Sequence, residues 1–172
     1  NPKQQVGHFS SLFKTQKRFG DKLLRIRYTY QNNHRQEYDV RRGDANNKPA
    51  INLILQTHHA NVGLKKITQK FWSFEAGLNM EAQINSNVSG TGVLSLLPNF
   101  NMYKGGVYTL ASFSKNKLEL NFSARLDAQN VFAQFFERTD LKHVQKRNFN
   151  FITAGLVADA SYKISEKWKL TS

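Results

Sequence analysis

The side chains with the clearest ligand chemistry gather in Glu37-Tyr38-Asp39-Val40-Arg41-Arg42-Gly43 and in Arg35 just upstream. Guanidinium forks match carboxylates and phosphates at two points, and a phenol beside them adds a further hydrogen bond. Arg35, Tyr38, Arg41 and Arg42 are therefore the candidate ligand-binding residues, for an anion held by a loop. The plainer reading of the same stretch is a solvated loop, or one that touches lipopolysaccharide. Histidine raises metal chemistry, but His58 and His59 are adjacent, and adjacent side chains of a strand point to opposite faces. His8, His34 and His143 lie on separate segments, so no metal site is expected. Glu75, Glu81, Glu119 and Asp127, with Arg125, are groups that acid–base work would use. Ion pairing along a wet wall explains them more simply. No nucleophile elbow is present, and Gly90-Thr91-Gly92 and Gly105-Gly106 lack the lysine and spacing of a phosphate-binding loop. No catalytic residue, no metal and no cofactor is expected, and the chain does not read as an enzyme.

The elements that carry these residues are legible from period-two alternation. From Leu118 to Gln129, Leu118, Leu120, Phe122, Ala124, Leu126 and Ala128 fall on one face of a strand. Glu119, Asn121, Ser123, Arg125, Asp127 and Gln129 fall on the other. A helix would scatter those charges all round. The pattern recurs in 72–85, with Trp72, Phe74, Leu78 and Met80 on the apolar side. It recurs again in 22–33, with Leu24, Ile26, Tyr28 and Tyr30, and in 149–163, with Ile152 and Leu156. Segments 7–18, 51–66 and 100–114 alternate less cleanly. Gly105 and Gly106 predict a bend or bulge in the last of them. Trp168 to Ser172 would begin an eighth strand.

Connections alternate strictly between short and long. Phe19-Gly20-Asp21, Thr68-Gln69-Lys70, Lys115-Asn116 and Ser165-Glu166-Lys167 are short. The stretches 37–50, 86–99 and 133–148 are long. All short turns then lie at one end of an antiparallel up-and-down sheet of about eight strands, and all long loops at the other. Strands of a dozen residues exceed the soluble mode of about 5–6. Long alternating strands with turns of unequal length at the two ends are the mark of a transmembrane β-barrel. Leu24, Ile26, Tyr28, Leu78, Leu120, Phe122, Leu126 and Leu156 are then the lipid-facing set. Turning the sheet over would place Arg25 and Arg27 in hydrocarbon, at about 2–4 kcal/mol each near the midplane. A soluble small-ligand barrel with the apolar face inward is the alternative that alternation alone leaves open.

Charge and composition narrow the partners. The 172 residues carry 25 Lys+Arg against 12 Asp+Glu, a net charge of +13. An excess of that size points to nucleic acid, an acidic membrane surface or an anionic ligand. With 13 Phe and 6 Tyr, the chain is not a disordered basic tail. A basic sheet with stacking aromatics would suit a nucleic-acid-binding domain. The basic residues instead form two rims. Lys14, Lys17, Arg18, Lys22, Lys65, Lys66, Lys70, Lys163, Lys167 and Lys169 flank the short turns. Arg35, Arg41, Arg42, Lys48, Lys142, Lys146 and Arg147 flank the long loops. Two basic rims around apolar strand centres suit a bilayer better than a groove for nucleic acid, and no nucleic acid is expected as partner. Zero cysteines exclude disulfides and thiolate chemistry.

A resemblance adds to this. Asn1-Pro2-Lys3-Gln4 and His8 come first, then Tyr30-Gln31-Asn32-Asn33 running into Arg35-Gln36-Glu37-Tyr38. Lys48-Pro49-Ala50-Ile51, Leu55-Gln56-Thr57, Trp72 with Gly77, and Leu97-Pro98-Asn99-Phe100 follow. Lys117-Leu118, Ala124-Arg125-Leu126-Asp127, Phe149 through Gly155 to Tyr162, and Lys167-Trp168 complete the order. In order and spacing these residues resemble the C-terminal barrel of TonB-dependent outer-membrane receptors of the Bacteroidetes type. The resemblance implies a bacterial outer-membrane location and energy-coupled uptake of a nutrient such as a siderophore or haem. It implies outer-membrane lipid and lipopolysaccharide around the wall, a small nutrient ligand at the outward loops, and TonB engaged only through a plug domain. Residues 1–172 are expected to be one partial barrel domain, with the plug and the remaining strands absent.

Overall fold

The computed structural model describes residues 3–38, 48–67, 71–91, 97–136, 144–165 and 168–171. Eight strands follow one another: β1 (Lys3–Phe19), β2 (Lys22–Tyr38), β3 (Ile51–Ile67), β4 (Trp72–Asn87), β5 (Asn99–Lys115), β6 (Leu118–Phe136), β7 (Val144–Lys163) and β8 (Lys169–Thr171). They form one sheet in sequence order, every neighbouring pair antiparallel. The expected up-and-down meander of eight strands is the fold. The sheet is not closed: β1 pairs only with β2 and β8 only with β7.

Two hairpin turns show why the short connections work. Gly20 (φ 59°) and Asn116 (φ 53°) each hold the first position of a two-residue link, Gly20-Asp21 and Asn116-Lys117. Tight hairpins need positive φ there, because only that backbone twist matches the right-handed twist of the strands. Glycine and asparagine adopt it at least cost.

Two expectations change. Strands run further toward the long connections than side-chain alternation shows. β2 reaches Tyr38, β4 reaches Asn87, and Val144 to Asn148 pair with Phe136 to Phe132. Backbone pairing continues after alternation lapses, because ladder hydrogen bonds do not depend on side-chain polarity. Gly105 and Gly106 make no bulge either. Their pairing to Met80 and Asn79 on one side, and to Ala128 and Asp127 on the other, runs on without interruption. The room that Gly106 leaves is used by neighbouring side chains. As expected, 51–66 lies within one continuous strand, β3.

The buried side chains of the described strands lie on one face of the sheet: Leu53, Asn79, Asn85, Asp127, Ala133 and Ser161. Four of these six are polar. The opposite face carries Leu64, Phe74, Leu78, Met80, Val107, Phe122, Leu126, Ile152 and Leu156, all exposed. Asn85 is 3% and Asp127 7% exposed, against 78% for Ile152 and 85% for Leu156. A water-soluble fold distributes exposure the other way round.

Candidate functional site

Residues paired across successive strands form rows, and two rows of the polar face hold its chemistry. In one, Arg25, Gly63, Gly77, Tyr108 and Arg125 follow each other from β2 to β6. Tyr108 lies flat along this row. A Cβ at Gly77 would fall 2.5 Å from its ring, and one at Gly63 2.8 Å from its hydroxyl. Only glycine leaves that trough open. The hydroxyl donates to Glu75 Oε1 at 3.2 Å, and Arg25 Nη1 reaches Glu75 Oε2 at 3.4 Å. One carboxylate thus joins β2, β4 and β5.

The next row is Arg27, Asn61, Asn79, Gly106 and Asp127. Arg125 grips Asp127 twice, Nε to Oδ2 at 2.5 Å and Nη2 to Oδ1 at 2.9 Å. The pair leans over Gly106, where a Cβ would collide with the Asp127 carboxylate. Asn79 completes the cluster. With its oxygen 2.9 Å from Arg125 Nη2 and its nitrogen 3.2 Å from the Gly106 carbonyl, both ends of its amide are satisfied. A buried carboxylate needs such partners, since desolvation without them costs several kcal/mol. Among the described residues no buried side-chain polar atom is left without a partner.

The apolar face is organised by height. On β5 it carries Phe113 near the short turns and Tyr103 ten residues further along. Around Phe113 stand Trp72 (ring centroids 5.0 Å apart) and Phe71 (6.1 Å), and Phe74 stacks on Trp72 at 5.7 Å. At the other end, Tyr30 and His58 lie 4.9 Å apart, and the Tyr28 hydroxyl bonds His58 Nδ1 at 2.7 Å. Between the two aromatic groups runs the aliphatic row Ile26, Val62, Leu78, Val107, Leu126 and Ala154. Ten residues span about 34 Å along a strand.

The sequence candidates fare unequally. Leu24, Ile26, Tyr28, Leu78, Leu120, Phe122, Leu126 and Leu156 all share the apolar face. Arg35 and Tyr38 do not converge. Their odd spacing sets them on opposite faces of β2, Arg35 is paired to Glu37, and Lys3 lies over the Tyr38 ring at 5.8 Å. Arg41 and Arg42 lie outside the described residues. His58 and His59 face opposite ways as expected, with His58 among aromatic rings and His34 Nε2 2.8 Å from Asn52 Oδ1. Sequence reading missed the Tyr108 trough. Its trace in the sequence is a pair of glycines at 63 and 77, beside a strand whose alternation includes a tyrosine on the polar side.

The geometry defines a class: an open, two-faced antiparallel sheet with a hydrogen-bonded polar face and a banded apolar one. Comparison with protein-family models, curated proteins and solved structures found no match.

Proposed function

We propose that this chain forms a stretch of the wall of an outer-membrane β-barrel, in a receptor of the TonB-dependent type that its ordered sequence features resemble. The receptor would take up a scarce nutrient, such as a siderophore or haem, with the long connections facing outward. The supporting observation is the banded apolar face. Turn positions give its tilt. In the row through Lys22, Lys66, Phe74 and Ala111, the first residue of β2 stands level with Phe122, four residues inside β6. Four residues over four strand spacings is about 14 Å against about 19 Å, a tilt of about 35° if the turns share one height. Barrel strands tilt by about 35–45°. The 34 Å from Phe113 to Tyr103 along β5 then stands about 24–28 Å tall, close to the apolar band of about 25 Å in such barrels.

The open edges fit the same reading. A bilayer offers no hydrogen bonds to the free groups of β1, so further strands must pair with them, and a wall wider than eight strands follows. The soluble-barrel alternative needs its apolar face buried, and this face is the exposed one. A nucleic-acid interface would gather its basic groups on one surface, whereas here they are shared between faces, with Arg25, Arg27, Lys65 and Arg125 on the polar face and Lys22 and Lys66 on the apolar one.

Charge insertion tests the reading. In the full protein, Leu120→Arg and Phe122→Arg should block assembly into outer-membrane lipid, read as loss of heat-modifiable migration on a gel. Asn121→Arg, between them on the opposite face, should assemble. Equal tolerance at all three positions would sink the assignment.

A further inference from the structure

The apolar face has a depression with a charged end. A groove of about 800 Å³ crosses it where the rows narrow to small side chains. Its floor is Ala76, Thr109 and Ala124 in one row, with Ala111 and Ala158 in the next. Leu64 and Phe74 wall it on one side, Phe122 and Leu156 on the other. At the β2–β3 end stand Lys22 and Lys66, directly opposite one another.

Like charges on directly opposed strand positions repel. Lys66 Nζ lies 3.9 Å from the exposed carboxylate of Asp21. Lys17 adds a third cation on the same face of β1, beside Leu24, with its Nζ 5.1 Å from the Phe19 ring. The tilt of the strands makes this placement directional. Lys22 lies at the β1–β2 turn, on the rim, whereas the same row reaches β6 four residues inside the strand. The groove therefore starts at a basic rim and climbs into the aliphatic band. Four strand spacings, from β3 to β7, cover about 19 Å, the scale of an acyl chain.

We infer that this groove is a binding site for one anionic phospholipid of the leaflet at the short-turn end. Its phosphate rests on Lys22 and Lys66, with Lys17 alongside, and an acyl chain lies over Ala76, Thr109 and Ala124. The negative phosphate relieves the lysine repulsion, and the chain fills a hollow that packs against nothing within the sheet. A zwitterionic lipid would fill the hollow equally but would bring an ammonium against the lysines. The inference rests on the membrane-wall reading above.

Brominated-lipid quenching separates the two. The full protein, with Trp72 kept and every other tryptophan, Trp168 included, replaced by phenylalanine, has Trp72, which stacks on Phe74 at the groove wall, as its fluorophore. It is reconstituted in phosphatidylcholine vesicles containing a small fraction of dibrominated phosphatidylglycerol or dibrominated phosphatidylcholine. Phosphatidylglycerol should quench Trp72 preferentially, with relative affinity raised about five-fold per lysine, the effect of one basic group near an anionic lipid. Lys22→Gln with Lys66→Gln should bring the two lipids level. Lys14→Gln with Lys65→Gln, at the same end but on the polar face, should keep the preference. Quenching by neither lipid would overturn the membrane reading and this inference together. Equal quenching by both in the unsubstituted groove, or a preference that survives Lys22→Gln with Lys66→Gln, would overturn the lipid site alone.

Discussion

The two faces of this sheet are built from the same strands and hold together in different ways. On the polar face, long side chains lie down along the rows and bond across strands, as Tyr108, Glu75 and Arg25 do over Gly63 and Gly77. On the apolar face the ring contacts gather in two groups, Trp72 with Phe74 and Phe113 toward the short turns and Tyr30 with His58 toward the long connections. Cohesion between strands is thus carried by the backbone ladder and the polar face. The apolar face contributes through what surrounds it. For a soluble protein the division would be the reverse, since burial of apolar groups supplies most of its stability.

Substitutions can break that comparison, and the largest effect belongs to the apolar face. Leu126→Arg should cost about 2–4 kcal/mol of folding free energy in vesicles, whereas Gln129→Arg on the polar face should stay near the parent. Urea titration of the reconstituted full protein measures both, and similar losses would erase the distinction between faces. Gly77→Ala comes next. Its methyl group would meet the Tyr108 ring, so a loss of about 1–3 kcal/mol is expected. Tyr108→Ala in the same chain should return part of that loss, and strict additivity of the two changes would disprove the close approach.

Smaller effects sharpen the picture. Asp127→Leu strands Arg125 beside Asn79 and should cost about 1–2 kcal/mol, tempered because Arg125 is half exposed. Replacing both residues by leucine should be milder than Asp127→Leu alone. An equal or larger loss in the double variant would show that the cluster stabilises beyond its own satisfaction. Trp72→Ala removes the stack on Phe74 and the contact with Phe113, with about 0.5–1.5 kcal/mol expected from the aromatic contacts. A loss seen in detergent but not in lipid would move Trp72 out of the interfacial group.

Much of the fold was legible because period two is a local property. Any stretch such as 118–129 reveals its own two faces without reference to a partner, and the alternation of short and long links then orders the strands. Register is not local. That Gly63 stands opposite Gly77, and Gly77 opposite Tyr108, depends on three strands sliding into place, so the trough could not be read from any one of them. Gly105-Gly106 was misread for the same reason. Glycine in a strand signals either a bulge or a close approach, and only the position of Asp127 on β6 decides which. Parity separates Arg35 from Tyr38, because β2 runs on to Tyr38 after its side-chain alternation has lapsed.

The tyrosine lying over two glycines has a consequence for assembly. A strand that slips by one residue exposes its error at once, because every side chain changes face. A slip by two leaves both faces chemically sound, and neither lipid nor water can tell it from the correct pairing. Tyr108 can. Moved by two positions, its ring would meet Glu75 or Asn79 on β4 and Lys65 or Asn61 on β3 instead of open backbone. The trough therefore acts as a key cut for a single alignment, rejecting the one kind of mistake that a two-faced sheet would otherwise accept.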